Sequence, residues 1–376
     1  MNRVISNKLI IITILLLVIL TITLLIFLPK KEMSENENRY LASLPKLTSE
    51  YFFSGDYMRD IEIYINDHFP YRDFIVGVKS QAEKIIGKTD QKGVYLGKDE
   101  YLIQYYDGYD NDTMDKHCKV IDDFSKTSDA QTYFMLVPTS NSIYPEKKPA
   151  FAYDKDQTES IKNFYSKLNY TVEVMVHNAL KAEAKKQALY FRLDHHWNIH
   201  GAYIGYAQFC KAAKLDAIPK ESFDIKEISD SFNGTYYSFS KYYSYTPDSI
   251  EALLPTFETD LMIEYVSSNQ ITDSLYNEKH LDTKDKFAYF LDGNHPQIII
   301  KNNLISDNSS IAVIKDSYAN NLVPFLTNHY QNVYVIDMRF FSDKLSEYVE
   351  NNNIENVLFL YNIHTIRTDM GISKIY

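Results

Sequence analysis

The stretch Asp194-His195-His196-Trp197 sets two imidazoles beside a carboxylate and adds the only tryptophan of a 376-residue chain. Imidazole next to carboxylate can move a proton or bind a metal near neutral pH. Such a pair becomes most useful beside a hydroxyl, because serine attacks poorly until a base takes its proton. Ser317 is the candidate. It follows Ile311-Ala312-Val313-Ile314-Lys315-Asp316, where a buried strand gives way to a helix. At that junction the hydroxyl is exposed at the strand's carboxyl end. The N–H groups of the helix start are then aimed at any oxyanion forming there. His196 fits the base, with Asp194 orienting it and stabilising its charge. The plainer readings are a helix cap at Asp316-Ser317 and a surface arrangement at Asp194 to His196.

Several other residues are candidates around this core. His195 points away from His196 in an extended chain and reads as support or as an alternative base. Asn294, after Gly293, offers an amide donor to an oxyanion, or is part of a turn. Arg339 would bind a carboxylate or sugar, or pair with Asp337. Tyr236 and Tyr237, after Asn233-Gly234, would hold a sugar by stacking, although a hairpin is the plainer reading. Pro138-Thr139-Ser140-Asn141 would supply a wall or an N–H donor. The letters Asp-His-His also suggest a two-metal phosphoesterase. Such sites need further aspartates at other strand ends; Asp316 and Asp337 are available, but metal-ligand spacing is not. No metal and no cofactor is expected.

The elements that must position these groups alternate. Leu189–Leu193 reads as a strand and Gly201–Lys214 as a helix, so the histidines fall at a strand-to-helix junction. Thr132–Val137, Ile311–Ile314, Val333–Ile336 and Val357–Leu360 are short apolar strands. Helical patterns cover part of 157–186, then 318–330 and 342–351. Apolar strands separated by helices predict an α/β fold, with a parallel sheet covered on both faces. Residues 221–305, rich in aromatics and in Asn-Gly and Asp-Gly turns, read as an inserted, mostly β segment. Residues 49–88 read as helical, with a break at Pro70.

Composition narrows the class. The chain is 45% hydrophobic and 24% charged, which is globular. A net charge of -11 without a basic stripe argues against nucleic acid as a partner. Thirty-two tyrosines suit sugar-binding surfaces as well as an ordinary core. Cys118 and Cys210 are too few for a disulfide framework, and a single bridge between them is left open. Leu9 to Leu28 is an apolar run of ~30 Å as a helix, the thickness of a bilayer core. Arg3 and Lys8 precede it, and Pro29-Lys30-Lys31 follow. No small-x-small cleavage site ends it, so an anchor is favoured over a cleaved signal. The expected division is a cytoplasmic head (1–8), a transmembrane anchor (9–28), a linker and helical region (29–98), and an extracytoplasmic α/β domain (99–376).

Asp194-His195-His196-Trp197 with Gly201-Ala202 resembles the DHHW family of Gram-positive bacteria. Its wider relatives are alginate O-acetyltransferases of the AlgJ and AlgX type, in the SGNH hydrolase superfamily. The resemblance runs from about Glu37 to the C-terminus. It includes Glu37-Asn38-Arg39, Phe69-Pro70-Tyr71-Arg72, Val137-Pro138-Thr139, Phe232-Asn233-Gly234-Thr235, Asp316-Ser317-Tyr318 and Asp337-Met338-Arg339. It implies a three-layer SGNH hydrolase-like domain, with Asp194 as orienter, His196 as base and Ser317 as nucleophile. Two positions depart from the pattern: Lys315 stands where a glycine precedes Asp-Ser, and His195 where the relatives carry threonine. The expected function is acetyl transfer to an envelope or secreted polysaccharide. A carbohydrate esterase using the same residues, and an inactive glycan-binding or envelope-assembly protein, are the alternatives. The expected partners are a glycan acceptor and a multi-span membrane O-acyltransferase that delivers the acetyl group.

Overall fold

The computed structural model describes residues 2–376; Met1 of the expected head lies outside the described residues. The chain divides into two compact units, Met1–Lys88 with Tyr237–Tyr245, and Thr89–Tyr236 with Thr246–Tyr376.

In the first unit, helix α1 (Asn2–Phe27) is the one helix among the described residues long and apolar enough to cross a membrane. Its threonines fit that role. Thr13, Thr21 and Thr23 each donate their hydroxyl to the carbonyl four residues earlier, at 2.8–2.9 Å, so few polar atoms face outward. Two longer helices follow, α2 (Asp56–Asp67) and α3 (Arg72–Ile85), broken apart at Pro70 and by Tyr71 with φ 55°. The linker is fastened by charge. Glu37 accepts from Arg39, Arg72 and Lys241 at 2.6–2.7 Å. Burial alone would raise the Glu37 carboxyl, but these three cations hold it down at about 2.

The second unit is built on one sheet. In chain order its strands are β1 (Gln131–Val137), β2 (Val172–Glu173), β3 (Leu261–Tyr265), β4 (Gln270–Thr272), β5 (Gln297–Asn302), β6 (Ser310–Lys315), β7 (Asn332–Ile336) and β8 (Asn356–Asn362). They lie side by side as β4-β3-β5-β7-β6-β8-β1-β2. From β7 to β2 all pairings are parallel; from β7 to β4 all are antiparallel. Alternate residues serve two cores. Val313, Val335 and Leu358 pack on one face, Ile314, Phe134 and Phe359 on the other. Both faces are therefore covered, which explains the continuous apolar runs. Helix α4 (Asn111–Thr127) packs on the second face and α5 (Ile199–Ala213) on the first.

Four expectations need correction. Leu189–Leu193 is not a strand of the sheet. Its backbone bonds close on its own return, Phe191 N–H to His196 O and Asn198 N–H to Leu189 O, with one isolated bridge between Tyr190 and Trp197. Its apolar residues are buried all the same, and that burial produced the strand-like run. The helix expected over 318–330 is instead a 3₁₀ turn at Ser317–Ala319 and a short helix at Val323–Leu326. Pro324, lacking an N–H, starts that helix afresh. The segment 221–305 is not one separate insertion. Its strands β3, β4 and β5 extend the central sheet, and only Phe223–Phe232 with Asp248–Pro255 pair apart. Asn233-Gly234 does not turn a hairpin but leads from a strand into a short helix, Thr235–Ser240. Cys118 and Cys210 are both buried and unpaired.

Candidate active site

Strand β6 delivers Asp316 and Ser317 at the carboxyl edge of the sheet. Asp316 is spent on geometry. Its Oδ1 accepts from Tyr318 N–H, and its Oδ2 from Asn362 N–H and Nδ2, all at 2.8–2.9 Å. Strand β8, which ends at Asn362, thus locks the turn that carries Ser317. The Ser317 N–H, first in the turn, has no acceptor among the described residues.

The histidines reach this edge on the closed loop after Leu189. His196 Nε2 lies 2.7 Å from Ser317 Oγ, and His196 Nδ1 lies 2.6 Å from Asp194 Oδ1. Asp194 can only accept, so the proton between them sits on Nδ1, and Nε2 is left to accept from the serine. Asp194 Oδ1 also takes the His196 N–H at 2.9 Å, and Oδ2 takes the Thr235 N–H at 2.8 Å. The first of these curls the backbone into an Asx turn. That curl corrects the expectation for His195. Its ring does not point away but lies against His196, tilted by 37° with centroids 3.8 Å apart, and with Nδ1 3.5 Å from Asp194 Oδ2. The ring of Phe287 lies near-parallel to His196, at 4.0 Å.

The electrostatics follow from this packing. Burial would raise the Asp194 carboxyl, but the two imidazoles beside it hold it well below the usual carboxylate range. Burial also pushes His196 down, and the charge of His195 adds to that. Together they outweigh Asp194, leaving His196 at about 4. His195 goes the other way: burial opposes its protonation, but Asp194 wins and raises it. The two imidazoles are thus shifted in opposite directions, His195 up and His196 down.

Asp194, His195 and His196 offer ligand atoms within 4.8 Å of one another, enough to hold a metal ion. The donor set is already spent. Both nitrogens of His196 and both oxygens of Asp194 have partners, whereas the buried His195 Nδ1 lacks a hydrogen bond. A metal here would have to break the contacts to Ser317 and Thr235.

Lys315 is the residue that the motif alone undervalued. Its ammonium, fully buried, donates to Asn294 Oδ1 at 2.7 Å and to Asn320 Oδ1 at 2.8 Å, and lies 3.8 Å from Asp337 Oδ2. An ammonium is a donor only, so it fixes which end of each amide faces it. The Asn320 amide then donates to Gly293 O at 3.2 Å, whereas Asn294 Nδ2 has no acceptor among the described residues. Burial lowers Lys315 to about 8, against the pull of Asp337. Arg339 sits behind this group, with its guanidinium bonded by two nitrogens to Asp337 at 2.5–2.8 Å.

Tyr236 and Tyr237 offer no open face for stacking. Both are buried; the Tyr236 hydroxyl donates to Gln104 Oε1 and that of Tyr237 to Tyr243 O. The motif around them matters through its backbone. A Cβ on Gly234 would lie 2.3 Å from the Cβ of Asp194, so only glycine lets the chain approach closely enough for Thr235 N–H to reach the carboxylate. Trp197 is a strut between the halves of the site. Its indole N–H reaches Tyr318 O at 2.8 Å and Asn321 Oδ1 at 2.9 Å. A Cβ on Gly205 would lie 2.7 Å from its ring, so the glycines of α5 make its seat.

The sequence profile of the DHHW protein family matches residues 86–336. The chain belongs to the DHHW family. A DHHW family protein from Eubacterium siraeum is 24% identical with a TM-score of 0.65, over 73% of this chain and 91% of that one. PatB1 of Bacillus cereus, solved with a sulfonyl adduct, is 22% identical with a TM-score of 0.63, over 74% and 97%. The O-acetyltransferase domain of Pseudomonas putida AlgJ is more distant, at 12% and 0.46, over 74% and 93%. At the identities of the first two structures, the likeness shows a shared fold alone. No curated protein sequence matches this DHHW protein.

Proposed function

We propose that this DHHW protein is a membrane-anchored, SGNH-like O-acyltransferase that moves an acetyl group onto a hydroxyl of a cell-envelope polysaccharide. The observation that carries the reading is the unbroken hydrogen-bond chain from Asp194 through His196 to Ser317. An inactive binding protein has no need of a nucleophile in contact with its base.

Ser317 Oγ attacks the acetyl carbonyl of the donor, and its proton passes to His196 Nε2. The imidazolium so formed is stabilised by Asp194 and gives the proton to the departing donor group. The acceptor hydroxyl then loses its proton to His196 and attacks the acyl-serine, and Ser317 leaves with that proton. The developing oxyanion is met by the Ser317 N–H and by Nδ2 of Asn294, the amide whose oxygen Lys315 holds. His196 at about 4 is neutral and able to accept throughout the neutral range. Helix α1 anchors the chain once. A single span cannot carry an acetyl group across, so a multi-span O-acyltransferase is the partner this reading requires.

Full-length protein given an activated acetyl ester should release acetate, and Ser317→Ala should lower the rate by about 10⁴-fold or more. Equal rates in the two proteins overturn the reading. Adding an oligosaccharide and weighing the product separates transfer from hydrolysis: an acetylated sugar supports the transferase, and free acetate alone favours the esterase.

A further inference from the structure

The first unit contains a helix that faces the wrong way for a water-soluble protein. On α3 the exposed apolar positions are Phe74, Ile75, Val78, Ala82 and Ile85, with Ile86 just beyond, a stripe recurring at three- and four-residue steps along one side; Lys79 and Lys84 are the other exposed residues of the helix. Phe74 is 72% exposed, and Ile85 and Ile86 over 80%. The one buried residue of the helix is Ser80. Its inner side is polar and packs on residues 237–245: Gln81 donates to Ser244, Lys84 Nζ reaches the Tyr245 hydroxyl, and Gly77 faces Tyr243. Surface helices normally bury their apolar stripe, and an uncovered stripe of this length marks an interaction surface.

What covers it is indicated by where the stripe begins. The start of α3 borders a cleft of about 320 Å³ lined by Leu28, Lys30 and Lys31 on one side and Phe69, Tyr71 and Phe74 on the other. Leu28 to Lys31 is the exit of the apolar span. Aromatic rings beside a span exit, with lysines close by, have the composition of a membrane–water interface, where rings sit at headgroup depth and ammonium groups meet lipid phosphates. We propose that the apolar face of α3 lies in the headgroup–acyl boundary of the bilayer that α1 crosses, as a second, in-plane attachment. This rests on the anchored reading of α1.

The chain's single tryptophan, Trp197, is fully buried and supplies a quiet background for a depth experiment. Full-length variants Phe74→Trp, Ile85→Trp, Leu17→Trp and Lys226→Trp would be reconstituted in phosphatidylcholine–phosphatidylglycerol vesicles with bromines at shallow or deep acyl positions. The expected result is loss of fluorescence at 74 and 85, stronger with shallow bromines, with deep quenching at 17 and none at 226. Quenching at 17 but not at 74 or 85 overturns the inference and leaves the anchor standing. If positions 74 and 85 are instead hidden from both bromolipid and aqueous iodide, a protein covers the stripe, and the inference also falls. Absence of quenching at 17 as well overturns the anchor itself.

Discussion

Two carboxylates in this chain sit between paired imidazoles. Asp194 holds His195 and His196, and Asp292 holds His280 at 2.6 Å and His295 at 3.2 Å. The residue types are the same, but the settings are not. Asp194 is 3% exposed and its oxygens take two backbone N–H groups, whereas Asp292 is 21% exposed and takes an Asn277 amide. Both carboxyls are held low against the effect of burial. Only the first pair goes further. Burial lowers both of its histidines, Asp194 outweighs that at His195 but not at His196, where the charge of His195 adds to it, and His196 ends on a serine hydroxyl. Among the described residues neither the His280 ring nor the His295 ring bonds to a hydroxyl. In the proposed mechanism an imidazole–carboxylate pair becomes a proton-transfer device through enclosure and a third partner, not through its letters.

Experiments that sharpen this contrast can be ranked. Loss of Ser317 is the largest cut, since it removes the third partner outright. Gly234→Ala comes next. Its methyl would collide with Asp194, displace the carboxylate from His196, and lower kcat by about 10²-fold, readable in an ester assay alongside circular dichroism to confirm folding. Lys315→Met should cost a similar or smaller factor in kcat with little change in KM, because the Asn294 amide loses its fixed direction. The wild-type rate should also fall as pH rises through about 8, as Lys315 gives up its proton, and the variant should lack that limb. His195→Gln should change the profile more than the rate. His196 accepts a proton as pH falls through about 4, so kcat/KM declines there; removing the charge of His195 raises that pKa and moves the acid limb upward. A limb that stays in place would show that His195 does not set it. Asp292→Asn should be mildest, a few-fold at most in rate and under about 1 kcal/mol in urea unfolding. A loss as large as that of Gly234→Ala would dissolve the distinction between the two clusters.

Much of the sheet was legible in the sequence. β1, β6, β7 and β8 are buried on both faces, and such strands write themselves as continuous apolar runs. Leu189–Leu193 is just as apolar and is no strand, because burial fills the run and pairing depends on a partner that the sequence does not show. Asp194, His196 and Ser317 were legible because proton transfer restricts residue types and the family motif fixes their order. Lys315 stood out only as a departure from Gly-Asp-Ser, since its use depends on two asparagines that reach it in space. Gly234 was noticed as part of a turn. Its reason is the closeness of Asp194, which lies 41 positions away from Thr235 and leaves no local trace.

The bond from Asn362 to Asp316 also orders events in time. β8 is the last strand of the sheet, and its end fixes the turn that presents Ser317. A chain that has not yet laid down that strand carries Asp194, His196 and Ser317 without the lock that fixes the turn. Under the proposed mechanism the serine is thus armed by completion of the fold, and a half-folded copy would be chemically silent.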